Sequence, residues 1–215
     1  MEENVKICVD VDQTIASGFL GESVEESLAY YRARQVAVPA DARRYKDFFG
    51  LPEVIRIHEE IPNALNALQH LASAGYDMGY FTVRHSDNSS QEEQIRVNTR
   101  LWLVEHQFPH AENVFFFTGM PTKLYEIGKQ MSNDNSTIVM IDDSWEKVLD
   151  AYERIQNVDP LVAQNLVKRL TLLAFGATQS TLPTRTPIKL MALPDWKTIK
   201  EVFNAIDPVS NLSTF

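Results

Sequence analysis

The sequence is short of cysteine, of positive charge and of long apolar runs, and each shortage closes off a class of protein. With Cys8 as the single cysteine no internal disulfide can form, and a reducing, cytosolic setting is expected. Lys and Arg number 20 against 29 Asp and Glu, a formal net charge of −9. That balance argues against non-specific binding to nucleic acid or to anionic membranes. It leaves room for a small phosphorylated ligand, because a bound divalent cation can reverse the local field. Nowhere do about 18 apolar residues run together, so no membrane span is expected. The opening Met1-Glu2-Glu3-Asn4 lacks the basic and apolar regions of a secretory signal, and none is expected. No internal repeat is visible.

What is present suits a soluble globular protein. The chain has 215 residues, 44% hydrophobic and 23% charged, enough for a substantial core and most simply one domain with an insertion. Its most informative stretch is Lys6 to Ala16. A short apolar run from Ile7 to Val11 carries carboxylates at Asp10 and Asp12. Side chains alternate along a strand, so these two point the same way. At the end of a buried strand that side opens into the crevice where α/β proteins bind ligands. Like charges placed there resist joint ionisation unless a cation or a proton offsets them.

Residues 17–60 offer helices and no convincing strand. Ser23 and Glu26 form a capping box ahead of Val24, Leu28 and Tyr31 at helical spacing. Further helices are expected over Asp41–Phe49 and Glu53–Glu59. From Ile61 strands and helices alternate. A helix with Pro62 in first position and Gly75 at its end precedes a strand over Asp77–Thr82. A helix opened by Ser90 and Glu93 carries Val97, Leu101, Val104 and Phe108 as its expected buried stripe. A strand over Asn113–Phe117, a helix from Thr122 with Leu124, Ile127 and Met131 inward, and a strand over Thr137–Ile141 follow. Helices from Trp145 to Lys168, restarting at Asp159-Pro160, lead to strands at Leu170–Phe175 and Ile188–Ala192. Asp195 caps a last helix. Trp102 and Trp196 read as core. The alternation predicts an α/β three-layer Rossmannoid fold: a parallel sheet between helices, 1–16 and 61–215 forming the core and 17–60 a helical insertion.

All strand carboxyl ends of a parallel sheet share one edge. Asp10, Asp12, Thr82, Lys123, Asp142 and Asp143 should meet there. A carboxylate nucleophile, further oxygens for a Mg²⁺, a hydroxyl and an ammonium suit a transferring phosphoryl group. Lys129 lies too far into its helix to join them.

These residues resemble the motifs of haloacid dehalogenase-superfamily phosphohydrolases. An apolar strand then D-x-D-x-T matches Asp10-Val11-Asp12-Gln13-Thr14. A Thr ending an apolar strand matches Thr82, a lysine early in a later helix matches Lys123, and an acidic pair after an apolar strand matches Asp142-Asp143. The match spans residues 5–143 in the family's order. It implies that Asp10 attacks phosphorus to give an aspartyl phosphate, and that Asp12, the second acid of the phosphatase form, protonates the leaving oxygen and then activates water. Asp12 would then need a raised pKa and Asp10 would stay ionised. The resemblance further implies Mg²⁺ held by Asp10, the backbone carbonyl of Asp12, and Asp142, with Asp143 adjacent, and phosphoryl contacts from Thr82 and Lys123. Residues 17–60 sit where the family inserts its small C1 cap, which closes over small substrates.

Gln13 departs from the family, most of whose members have glycine there to ease the turn that follows. Thr82-Val83-Arg84 together with Thr99 to Leu103 is similar to the polynucleotide-kinase 3′-phosphatase and nucleotidase branches, which leans toward a nucleotide-like substrate. Arg84 is thus a candidate substrate contact; with His85 it is otherwise expected on a surface loop. Two further readings stay open: a receiver-like domain phosphorylated on aspartate without fast turnover, and a non-catalytic relative that binds Mg²⁺ or a partner.

Overall fold

A computed structural model describes residues 5–18, 23–38, 51–134 and 136–206. Strand β1 (Val5–Val9) lies near the middle of a six-stranded sheet. It pairs in parallel with β4 (Asp77–Thr82) on one side and β6 (Thr137–Asp142) on the other. Beyond β4 comes β5 (Val114–Phe116); beyond β6 come β7 (Leu170–Phe175) and β8 (Lys189–Leu193), all parallel. The expected parallel sheet and its edge strand at β8 are what is found.

Alternation along the central strands builds the two cores. Ile7, Val9, Val139 and Ile141 point to one face, where they meet Leu68, Trp102, Trp196 and Phe203. Cys8, Ile138 and Met140 point to the other, against Leu124, Ile127 and Leu166. Helices α3 (Ala64–Ser73), α4 (Ser89–Glu105) and α8 (Ile199–Ile206) cover the first face. Helices α5 (Met120–Asp134), α6 (Trp145–Val158) and α7 (Pro160–Arg169) cover the second. The layers are therefore helix, sheet, helix, the arrangement that hides a sheet apolar on both faces. Burial pushes the Cys8 thiol up to about 12, which fits a packing residue. At Gly128, α5 and α7 come so close that a Cβ would lie 2.6 Å from Val162 Cγ1. Among the described residues no helix is long and apolar enough to cross a membrane.

Several element ends differ from expectation because caps and pairings outweighed the local pattern. Helix α3 starts at Ala64, behind Asn63 in the left-handed region (φ 69°), rather than at Pro62. Helix α4 is capped by Asn88, which accepts from the backbone N–H of Ser90 and Gln91, rather than by Ser90. Helix α5 begins at Met120 rather than Thr122. The restart at Asp159-Pro160 is as read, with Asp159 accepting from Val162 N.

The expected stripe on α4 is corrected. Ile95, Thr99, Trp102 and Leu103 are the buried residues of this helix. Val97, Leu101 and Val104 are 41%, 39% and 58% exposed, and Phe108 is buried only after the helix has ended. Both faces of α4 carry apolar residues, and the helix turned the one bearing the large Trp102 inward, where burial gains most. The Trp102 indole N–H donates to His58 O at 2.9 Å, so its polar edge is satisfied as well.

Between β1 and α3, helix α1 (Val24–Ala33) starts at Ser23, whose side chain accepts from Glu26 N at 3.1 Å. Helix α2 (Pro52–Arg56) is shorter than the expected Glu53–Glu59. Contrary to expectation there is a strand pair, β2 (Ala16–Ser17) antiparallel to β3 (Glu59–Glu60). Such a pairing joins residues distant in sequence and leaves no local period to read. The helix expected over Asp41–Phe49 lies outside the described residues. Leu28, Tyr31, Val36 and Val54 form a small core separate from the other two. Helix α2 docks on α4 through Asn98 Nδ2 donating to Pro52 O at 2.9 Å and the Arg56–Glu105 ion pair at 2.6 Å.

Candidate active site

The ends of β1, β4 and β6 and the start of α5 bring the motif residues together. Asp10 follows directly on β1 and is anchored by its N–H donating to Ile141 O at 2.8 Å. Asp142 closes β6, next to β1 in the sheet. Lys123, in the first turns of α5, points its fully buried side chain between them. Its Nζ lies 2.6 Å from Asp10 Oδ1 and 2.7 Å from Asp142 Oδ2. One ammonium thus bridges two carboxylates from neighbouring strands. Burial alone would lower the Lys123 pKa, but Asp10 and Asp142 raise it overall, so the ammonium is held charged. For Asp10 burial dominates: it pushes the carboxyl well up, Asp142 and Asp12 add to that, and Lys123 opposes, so these protein groups alone do not favour the ionised state expected of it.

Asp143 lies beside this pair. One ligand oxygen each from Asp10, Asp142 and Asp143 fall within 4.8 Å of one another. Burial, then the charge of Asp142, lifts Asp143 to about 6. Three carboxylates so close repel one another, and an all-oxygen set of this kind suits a hard divalent cation such as Mg²⁺. The loop that carries them is tied to the first motif: Asp143 N donates to Thr14 Oγ1 at 3.2 Å, and the Trp196 indole N–H donates to Thr14 O at 2.7 Å. Asp142 Oδ1 accepts from Ser144 N at 2.9 Å, so this aspartate also orders the start of α6.

The turn after Asp12 has the geometry a glycine would favour. Gln13 takes φ 59°, in the left-handed region, and its N–H donates to Ala16 O while Ala16 N donates to Val11 O. A glutamine can adopt that conformation at a cost, so the turn forms without glycine.

Asp12 departs from its expected state. Arg84 Nε lies 3.1 and 2.9 Å from its two carboxylate oxygens, Arg84 Nη2 is 2.7 Å from Oδ1, and Thr82 Oγ1 donates to Oδ2 at 3.4 Å. Burial works to raise the Asp12 pKa, but the Arg84 charge and hydrogen bonds outweigh it and leave the carboxyl below its ordinary value. The raised value expected for an acid is therefore not what this arrangement produces. Arg84 itself is buried rather than on a surface loop. It also donates from Nη1 to Thr99 Oγ1 at 2.9 Å, and Nη2 lies 3.2 Å from His58 Nδ1. Each of its three nitrogens has a protein partner. His85 stays on the loop, near Asp87 and Glu92. Lys129 pairs with Glu126 at 3.6 Å, away from the site.

Asp10, Asp12, Gln13, Val83, Met120, Asp142, Asp143, Ser144 and Lys147 line a cavity of about 320 Å³. That volume accommodates a small molecule.

No family model and no curated protein sequence matches the chain. Among solved structures, that of DsGPDH of Dunaliella salina aligns with 93% of this chain and 36% of its own at 12% identity and a TM-score of 0.51. This chain thus spans about a third of that protein. What is shared is the fold. A HAD family hydrolase from Deinococcus radiodurans R1, with bound phosphate and sodium, aligns over 96% of both chains at 13% identity and a TM-score of 0.46. A HAD phosphatase from Thermococcus onnurineus aligns over 92% of this chain and 96% of its own at 11% identity and a TM-score of 0.49.

Four residues around the site escaped the sequence reading in these roles. Thr14 stood in the first motif, but its tie to Asp143 needs the neighbouring loop. His58 reaches Arg84 from 26 residues away and had no local signal, while Thr99 entered only as part of a family likeness that says nothing of its bond to Arg84. Lys147, a cation lining the cavity, follows the acidic pair closely and could have been found by counting one helical turn into α6.

Proposed function

We propose that this chain is a phosphomonoesterase of the haloacid dehalogenase-like type, acting through an aspartyl phosphate on a small phosphorylated metabolite. The observation that carries the reading is the bridge of Lys123 to Asp10 and Asp142, with Asp143 and Asp12 facing the same cavity. Arg84 holds Asp12 ionised in the free protein, so Asp12 first takes a proton from solvent as the anionic substrate binds. Asp10 Oδ then attacks phosphorus, and the bond from phosphorus to the leaving oxygen breaks as Asp12 passes that proton to it. Water then attacks the aspartyl phosphate. Asp12 takes the water's proton, the bond from Asp10 to phosphorus breaks, and inorganic phosphate is released. Pairing with Arg84 favours the ionised form of Asp12, the form the second step requires. Lys123 and Thr82 stand buried behind Asp10 and Asp12, outside the cavity lining, and would reach the phosphoryl oxygens only on a shift of those carboxylates. A divalent cation such as Mg²⁺, held by Asp10, Asp142, Asp143 and the backbone carbonyl of Asp12, would supply the positive charge that offsets the transferring group. Lys147 meets the anionic substrate at the wall of the cavity, and residues 17–60 act as its cap. A nucleotide is one substrate the cavity could admit.

The test is hydrolysis of p-nitrophenyl phosphate and of a panel of sugar phosphates, nucleotides and phosphorylated cofactors, with and without Mg²⁺. Metal-dependent release of phosphate, abolished in Asp10→Asn, is the expected result. A pure, folded protein inert across the panel would overturn the reading. Stable acyl phosphate in the unmodified protein would point instead to a phospho-aspartate switch.

A further inference from the structure

Arg84 is held from three sides, and only one of its holders belongs to the chemistry. Toward the cavity it grips Asp12 with Nε and Nη2. Behind, Nη1 donates to Thr99 Oγ1 at 2.9 Å, and the Thr99 hydroxyl proton is itself given to Ile95 O at 2.8 Å. That leaves the oxygen as the acceptor of the Arg84 bond. At the side, Nη2 faces His58 Nδ1 at 3.2 Å. Arginine has no acceptor, so Nδ1 accepts and the neutral ring carries its proton on Nε2. His58 is fixed in turn by Trp102, three residues beyond Thr99 on α4, through the indole N–H to His58 O. His58, Thr99 and Arg84 are all buried.

We propose that His58 and Thr99 are positioning residues, which act on Asp12 through Arg84 and so set the proton transfers of the phosphatase reaction. The inference rests on the phosphatase reading above. A guanidinium is planar and grips a carboxylate as a fork, so the direction of the fork decides where the Asp12 oxygens stand. The fork's direction is decided behind it, by Thr99 on α4, and beside it, by His58. His58 also immediately precedes β3, whose partner β2 begins four residues after Asp12. The segment leaving residues 17–60 is thereby joined to the reacting carboxylate by two routes, the ribbon and the fork.

The test uses the full chain with Mg²⁺ and two substrates, an alkyl phosphate, whose leaving oxygen needs a proton, and 2,4-dinitrophenyl phosphate, whose leaving group does not. Thr99→Val and His58→Leu remove the acceptors; Thr99→Ser and His58→Asn keep one in nearly the same place. The expected result is a drop in kcat of about 10- to 100-fold on the alkyl phosphate, with KM within about threefold. On 2,4-dinitrophenyl phosphate the same variants should give a burst and an acyl phosphate trapped by acid quench. The Ser and Asn variants should restore most of the turnover. Thermal unfolding identifies variants that do not fold; for Thr99, Thr99→Ala then replaces Thr99→Val. Equal loss on both substrates without acyl phosphate, or unchanged turnover in folded variants, overturns the positioning role and leaves the phosphatase reading standing. An unmodified protein inert on both substrates overturns both.

Discussion

Lys123 Nζ lies 2.7 Å from Asp142 Oδ2, and the same nitrogen lies 2.6 Å from Asp10. The lysine is fully buried, so the bridge holds two acidic strand ends together. Removing the cation would leave two buried carboxylates facing each other. Lys123→Met should therefore destabilise the metal-free protein by roughly 3–5 kcal/mol. Urea unfolding in the presence of a chelator measures this; added Mg²⁺ should recover part of the loss.

Asp143 makes the metal-free protein sensitive to pH in a direction opposite to ordinary acid denaturation. Its folded pKa is about 6, above the usual 3.8. The folded state therefore binds more protons than the unfolded one between those values, and stability falls as pH rises from about 4 to about 6. Asp12 works the other way: its carboxyl is held below the ordinary value, so its contribution is present above that range and is lost only in stronger acid. Asp10, whose carboxyl burial also pushes up, adds a slope of the same sign. Thermal unfolding between pH 4 and 7 in chelator should show the Asp143 part, roughly 1–3 kcal/mol, and Asp143→Asn should reduce the slope by that part.

Gln13 holds φ 59°, and its side-chain Nε2 is buried with no hydrogen-bond partner among the described residues. Gln13→Gly removes both costs and should stabilise the protein by about 1 kcal/mol while activity is kept. Gln13→Val, β-branched at the same φ, should instead destabilise it. Paired denaturation curves compare the two.

Lys147 lines the cavity without bridging the carboxylates. If it binds substrate and has no part in proton transfer, Lys147→Ala should raise KM by about tenfold with kcat nearly unchanged. Steady-state kinetics on the best substrate decides; a fall in kcat at unchanged KM would contradict this role.

Gly128 lies where α5 meets α7, and a methyl group there would come within 2.6 Å of Val162 Cγ1. Gly128→Ala should cost about 1–3 kcal/mol by overpacking, despite the better helix propensity of alanine. Chemical denaturation reads the loss, with the activity proposed above expected to persist in the folded fraction.

The elements that present the motifs were legible because their signals are local. The apolar runs of β1, β4 and β6 end in Asp10, Thr82 and Asp142, and a run of buried apolar residues closed by a polar one is visible within six residues of chain. Lys123 followed from its place early in the helix after β5, beside the sheet edge where the strands end, with Leu124, Ile127 and Met131 marking that helix's inward face. The surroundings of Asp12 were not legible. Arg84 reads as a loop residue until Thr99 and His58 are placed behind it, and those two come 15 residues after it and 26 before it. Helix α4 shows the same limit: its two apolar faces both fit a helical period, and the sheet and His58 chose the one with Trp102.

Taken alone, the amino-acid order determined the alternation of strands and helices, the parallel sheet, and the set of groups carried to its one edge. Periodicity and strand-end placement are short-range properties, which a single chain displays directly. The tertiary structure alone decided the electrostatic state of the site: Asp10 under a buried ammonium, Asp12 gripped and ionised, Asp143 lifted by its neighbours. Those states depend on charges brought within a few ångströms from distant positions under low local dielectric, and sequence separation carries no measure of that distance.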